Sequence, residues 1–224
     1  MDYTIYDTLL GLPLFQGLSK TEFEEVLEKV RFEFRTIIKG QTFIKAGMPC
    51  SKFVFILNGS VLSSRTTQNG TLTFSETIDT PFLIEPHSLF GIQPAFTRQY
   101  TAKENSSLLI IDKQYLYSEL YKYEICRMNL MNILSGRIQN LENQIWDKRE
   151  TSMEERLATI VCSFSDIPSG PKEIRVRMED LSRILGETRL SVSKLLNSMA
   201  HEGKIVLKRG GFTILALENL QKNR

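Results

Sequence analysis

Thr188-Arg189-Leu190-Ser191-Val192-Ser193-Lys194 is the segment of this 224-residue chain whose residue types and spacing best suit a chemical task. With Thr188 as an N-cap, Val192, Leu195, Leu196 and Met199 form the apolar stripe of a helix, and Arg189, Leu190, Ser191, Ser193 and Lys194 fall on its first two turns away from that stripe. A guanidinium so placed suits the bidentate contact to guanine O6 and N7, and Ser191, Ser193 and Lys194 suit phosphates or a second base. Leu190 offers only apolar contact, for instance with a thymine methyl. The expected DNA-contacting set is therefore Thr188, Arg189, Leu190, Ser191, Ser193 and Lys194.

Such a helix needs a scaffold. Leu181 and Leu185 lie four apart on a preceding helix, Ser182 is small where the two helices would cross, and Gly186 supplies the positive φ of a tight turn. An ordinary helical hairpin shares this spacing. Downstream, Ile205 to Leu215 contains two β-rich runs around the basic turn Arg209-Gly210-Gly211, the pattern of a hairpin wing. Together they predict a winged helix-turn-helix on double-stranded DNA. The charge agrees: Lys172 to Arg224 holds eleven Lys and Arg against six Asp and Glu, whereas the first 171 residues hold seventeen against twenty. Phosphate neutralisation requires such a local basic excess.

Other chemistries lack their residues. The chain contains only two histidines, His87 and His201, too few for the inward ligands of a cupin-type metal enzyme. No phosphate-binding P-loop, nucleophile elbow or metalloprotease His pair occurs, so no catalytic residue, metal or cofactor is expected and the protein is read as no enzyme. Cys50, Cys126 and Cys162 are widely spaced and odd in number, which suits buried thiols rather than disulfides or a cluster. With 42% hydrophobic and 24% charged residues the composition is that of a globular protein. No run approaches the roughly 18 apolar residues of a membrane span, and no signal-peptide pattern opens the chain, so a cytoplasmic protein with no membrane contact is expected.

The remaining elements divide the chain. Ser19 and Glu22 make a capping box, with Leu18 and Phe23 as the hydrophobic staple of a first helix. Residues 32 to 112 hold short β-rich runs punctuated by glycines, which predicts a barrel or jelly roll. From Gln114 to Glu150 the pattern is helical, and Met131, Leu134, Ile138, Leu141 and Ile145 form a heptad seam suited to an identical partner helix; packing on the chain's own roll is the alternative. A second capping box, Ser152 to Glu155, restarts a helix, placing a hinge near Lys148 to Met153, and a strand is expected over Ile174 to Arg177. The expected division is a β-roll effector-sensing domain over 1–113, a dimerisation helix and hinge over 114–150, and the winged helix-turn-helix over 151–224.

Read in order, Leu14-Phe15-Gln16-Gly17-Leu18-Ser19, Ile44-Lys45-Ala46-Gly47, Phe55-Ile56-Leu57-Asn58-Gly59-Ser60-Val61, Leu89-Phe90-Gly91, the long helix and Leu185 to Lys194 resemble the CRP/FNR family of bacterial transcription regulators, named for the cyclic-AMP receptor protein and the fumarate-nitrate reduction regulator. The resemblance covers nearly the whole chain. It implies an α+β fold with an N-terminal double-stranded β-helix of the cyclic-nucleotide-binding type, a long dimerisation helix and a C-terminal winged reader. It also implies a homodimer on a pseudo-palindromic operator with half-sites roughly 34 Å apart, an RNA polymerase contact if the protein activates, and control by a small-molecule effector.

Departures from the family pattern narrow that implication. Cyclic-nucleotide binders place Glu after the Phe-Gly of the roll and Ser or Thr after a phosphate-binding Arg; here Ile92 follows Gly91, and Gln99 follows Arg98. An effector other than cyclic AMP is therefore expected. The oxygen-sensing branch uses an N-terminal cysteine cluster, and none precedes Cys50; the sole candidate haem ligand in the roll is His87, which suits a turn better. Many relatives also carry Glu where this chain has Leu190, so a different half-site is expected. A roll acting through protein partners, with a winged domain making protein contacts, is the competing reading.

Overall fold

The computed structural model describes residues 5–146 and 152–220 and divides into two compact units, Met1–Val61 with Asp79–Asn140 and Leu62–Ile78 with Leu141–Arg224. Among the described residues no helix is long and apolar enough to cross a membrane.

The first unit opens with helices α1 (Ile5–Leu10) and α2 (Lys20–Lys29). The predicted capping box starts α2: Ser19 Oγ accepts from the Glu22 N–H at 3.2 Å and the Glu22 carboxylate accepts from the Ser19 N–H at 2.9 Å. Those contacts satisfy N–H groups that a helix start leaves without partners. Leu18 and Phe23 are buried as the staple requires, and Phe15 meets Phe23 at 5.6 Å and Phe55 at 6.2 Å between ring centroids, tying the helices to a sheet.

The strands follow as β1 (Phe32–Ile37), β2 (Thr42–Ile44), β3 (Lys52–Asn58), β4 (Ser60–Thr66), β5 (Leu72–Asp79), β6 (Phe82–Ile84), β7 (Gln99–Ala102) and β8 (Ser106–Asp112). One antiparallel sheet runs β1-β8-β3-β6, and β2 pairs with β7. The apolar runs Phe53 to Ile56 and Leu108 to Ile111 are buried because β3 and β8 lie between two neighbours each, with Phe53 opposite Ile111 and Phe55 opposite Leu109. This is the antiparallel jelly roll that the strand spacing predicts.

The helical stretch is not continuous. It breaks into α3 (Gln114–Ser118), a 3₁₀ turn over Leu120–Lys122 and α4 (Glu124–Trp146), with Tyr123 extended at φ −93° and ψ 120°. Leu116, Leu120, Cys126 and Leu130 are all buried. In one unbroken helix the six-residue step from Leu120 to Cys126 would turn the second pair about 240° from the first, and the break lets both reach the core.

The second unit contains α5 (Met153–Phe164), β9 (Lys172–Val176), α6 (Met178–Leu185), α7 (Arg189–His201), β10 (Ile205–Lys208), β11 (Gly211–Ile214) and α8 (Leu217–Leu220). Ser152 and Glu155 form the second predicted capping box, with bonds of 3.2 and 2.8 Å. The expected strand over Ile174 to Arg177 is displaced toward the N-terminus, because Arg177 caps α6. The hinge residues 148–151 lie outside the described residues.

Residues 62–78 depart from the expected contiguous division. They cluster with the second unit, where β5 pairs antiparallel with β9, Leu72 opposite Val176, Phe74 opposite Ile174 and Glu76 opposite Lys172. The strand order there is β10-β11-β9-β5-β4. The cause is apolar burial: Leu72 and Phe74 belong to the same core as Leu157, Ile174, Leu181 and Val192.

Candidate nucleic-acid interface

The corner between α6 and α7 is built as its residues dictate. Gly186 ends α6 at φ 70° and ψ 30°, a left-handed conformation that costs glycine little, and the Glu187 N–H reaches back to the Ser182 carbonyl at 2.9 Å. Thr188 then caps α7, its hydroxyl accepting from the Ser191 N–H at 3.1 Å. Val192, Leu196 and Met199 are buried and Leu195 is half-buried, so the stripe faces the core. Leu181, Ser182 and Leu185 of α6 are buried against the same core.

That rotation fixes the opposite face. Thr188, Arg189, Leu190 and Lys194 are exposed, and Ser191 and Ser193 are half-buried, so all six expected contact residues border solvent on the first turns of α7. Leu190, an apolar side chain, is 66% exposed. The Ser191 hydroxyl is also engaged with the cap, 2.8 Å from Thr188 Oγ1. Arg189 makes an ion pair with Glu179 of α6 at 2.8 Å, with both side chains largely in water. Sequence spacing gave no sign of this partner, ten residues away on another helix.

The wing is a hairpin as expected, but its turn is only Arg209 and Gly210, because Gly211, expected in the turn, already pairs with Lys208 at the start of β11. Gly211 is required by close approach, since a Cβ there would overlap the Ile174 carbonyl of β9. Arg175, Arg177, Lys208 and Arg209 are exposed on the strands and turns around it, with Arg175 and Lys208 sharing Glu173 at 3.2 and 3.6 Å.

In the roll, the position singled out by motif comparison is not internal: Ile92 is fully exposed. The acid inside the roll is Glu85, 2% exposed and in a left-handed conformation at φ 37° and ψ 57°. Its carboxylate accepts from Ser88 Oγ at 2.7 Å, the Thr97 N–H at 2.8 Å, the Arg98 N–H at 3.0 Å and Tyr100 OH at 3.1 Å. Motif reading missed it because Glu85 precedes Phe90-Gly91 instead of following it. His87 Nε2 stands 4.0 Å from the same carboxylate.

On the expected dimer seam, Met131, Ile138 and Leu141 are exposed and Leu134 is half-buried. The side chain of Ile145 lies outside the described residues. Ile125 and Met128, further toward the N-terminus of α4, are also exposed apolar residues that the heptad reading left out.

Comparison with known proteins adds three findings. Residues 155–222 match the Crp-like helix-turn-helix domain. The fumarate and nitrate reduction regulatory proteins of Shigella dysenteriae and of Escherichia coli strain K12 are each 26% identical over 204 residues, covering 88% of this chain and 80% of theirs. Among solved structures, the catabolite activator protein of Thermus thermophilus aligns with a TM-score of 0.53 at 21% identity, covering 94% of this chain and 97% of that one. The sensor domain of the regulator DNR from Pseudomonas aeruginosa aligns at 0.51 and 22% identity over 64% of this chain and 92% of that one. The last two likenesses concern the fold. One match on the reader and one along most of the sequence agree: residues 155–222 match a Crp-like helix-turn-helix domain, and the chain as a whole is similar to transcription regulators of the CRP/FNR type.

Proposed function

We propose that the protein works as a homodimer that grips a pseudo-palindromic operator through the first turns of α7, with Arg189 reading a guanine and Leu190 covering a thymine methyl. Lys194, Ser193 and Ser191 engage phosphates or a neighbouring base, and Thr188 presents the helix start. The observation that carries this reading is one capped helix that exposes Thr188, Arg189, Leu190 and Lys194, leaves Ser191 and Ser193 half-buried, and buries its apolar stripe. An exposed leucine and an arginine beside it suit a base edge better than bulk water.

Pairing follows from α4. Met131 at 52% exposure, Ile138 at 57% and Leu141 at 43% leave an apolar seam that an identical helix covers in knobs-into-holes fashion, Leu134 and Ile145 completing the heptads. Two readers so joined sit on half-sites about 34 Å apart.

The effector of this reading is a small molecule other than cyclic AMP, or none. An ionised carboxylate offers about four lone-pair sites, and Glu85 already accepts four hydrogen bonds from within the roll. A ribose hydroxyl would have to displace one of them. Any effector acts by its differential affinity for two states of the dimer. If the bound dimer activates, it does so beside RNA polymerase in the cytoplasm, with no catalytic step of its own.

Selection from randomised duplexes followed by anisotropy titration tests the reading. It expects an inverted repeat containing guanine, and affinity falling steeply as salt rises, because counterion release belongs to binding a polyelectrolyte. No enrichment with salt-independent binding sinks it and favours a protein partner. Calorimetry with cyclic AMP is expected to show no binding, and micromolar affinity overturns that part alone.

A further inference from the structure

We propose that the DNA-reading unit is discontinuous in sequence: the hairpin Leu62–Ile78 supplies a strand of its sheet, and Glu76 is the positioning residue that locks that strand in register. This rests on reading the second unit as the DNA reader.

Strand periodicity sets up the contact. Leu72, Phe74, Glu76 and Ile78 share the inward face of β5, and Lys172, Ile174 and Val176 share the inward face of β9. An acid and a base thus enter a wall that is otherwise apolar. They meet there: Lys172 Nζ donates to the Glu76 carboxylate at 2.8 Å, with the two side chains 1% and 0% exposed. The same carboxylate accepts from the Asp166 N–H at 2.8 Å and the Ile167 N–H at 3.4 Å, fastening the loop that leads from α5 to β9. Beside it Phe74 packs on Phe164 of α5 at 5.9 Å between centroids.

A buried ion pair is weak evidence for stability, but it discriminates strongly between registers, because removing one partner strands the other charge away from water. A slip of β5 by one residue would turn Phe74 and Glu76 outward and leave Lys172 buried alone. Register here governs the wing. β9 carries β5 on one side and β11 on the other, with Arg175 opposite both Thr73 and Gly211. The wing therefore hangs from a strand whose other edge is held by residues about a hundred positions earlier. A fragment starting at residue 151 lacks that strand.

The test uses the full-length protein, Glu76→Ala, and the double variant Glu76→Leu with Lys172→Met, which replaces the pair by apolar residues. Hydrogen exchange is followed by mass spectrometry over 72–76, 166–167 and 172–176, with 106–112 in the roll as control, and affinity is measured for a mixed-sequence duplex. Glu76→Ala is expected to exchange at least tenfold faster in all three segments with the control unchanged, and to bind duplex at least fivefold more weakly. In the double variant, 72–76 and 172–176 return to within twofold of wild type, while 166–167, deprived of its acceptor, stays fast. If Glu76→Ala does not fold, the double variant decides: fast exchange at 166–167 between protected strands supports the proposal, and wild-type protection there overturns it. Unchanged exchange of β5 and β9 in Glu76→Ala also overturns it. Exchange is read without DNA, so a wild-type protein that ignores duplex sinks the functional reading and leaves the strand docking standing.

Discussion

Arg189 of α7 donates to the carboxylate of Glu179 on α6 at 2.8 Å, although both side chains are more than half exposed. The side chain assigned to a guanine thus carries its own counter-ion, and binding DNA requires that contact to break or to be shared. A surface pair of this kind contributes only about 0–1 kcal/mol to folding, so its consequence lies in recognition. Glu179→Gln is expected to tighten binding to a mixed-sequence duplex several-fold at low salt and to narrow the preference for the operator, because an unpaired guanidinium also binds phosphate. Anisotropy titrations with both duplexes at two salt concentrations measure this. Equal affinities for wild type and variant under all conditions would remove Glu179 from the account.

Arg189 and Lys194 are both exposed on α7, about 140° apart around its axis, and the proposed reading gives them different chemical roles. Arg189→Ala should cost ~1–3 kcal/mol on the operator and relax one base position, whereas Lys194→Ala should weaken every duplex alike and reduce the salt slope by about one. Thr188→Ala serves as contrast: it removes the acceptor for the Ser191 N–H and should lower stability by ~1 kcal/mol, read as a shift in the urea midpoint. Uniform loss across sequences from both Arg189→Ala and Lys194→Ala would show that arginine reads no base.

The local rules were legible in the sequence. Capping boxes at Ser19 and Ser152, the αL turn at Gly186, the cap at Thr188 and the wing around Gly210 all follow from residues a few positions apart, and they occur where spacing predicts. What escaped was long-range. Glu76 and Lys172 each lie at an inward position of an alternating strand, but the strand expected over Ile174 to Arg177 left Lys172 out, and nothing local paired the two charges. The single helix expected from Gln114 broke because periodicity was read without the six-residue step between Leu120 and Cys126. Glu85 was missed because a motif fixes order along the chain, and the fold placed its acid ahead of Phe90-Gly91.

Two of the three thiols are shielded. Burial pushes the Cys50 thiol up to about 12, with the Glu85 carboxylate adding to it, and burial pushes Cys126 up to about 12 as well. Thiolate is the reactive form, so both should resist alkylation at neutral pH, while the half-buried Cys162 is reached first. Native protein treated with a thiol reagent at pH 7.5 is expected to be labelled mainly at Cys162, with the other two reacting only after denaturant is added. Rapid native labelling of Cys50 would contradict the packing of the roll.

Ile138 is the most exposed of the described seam residues and lies a full heptad from Met131, so in a parallel pair of α4 helices it faces its own copy. Removing such a side chain from water contributes ~1.5–3 kcal/mol for full burial, and two copies take part. Ile138→Glu replaces that gain with two carboxylates brought together at the seam. Dimerisation should weaken by at least a hundredfold, about 2.7 kcal/mol, seen as monomer by analytical ultracentrifugation at micromolar concentration. Operator affinity should fall with it, since each reader then binds its half-site alone, while the urea midpoint of the monomer changes little because the residue is already exposed. Leu190→Glu, on α7, should weaken DNA binding and leave the dimer whole. A dimer that survives Ile138→Glu would place the pairing surface elsewhere than the seam of α4.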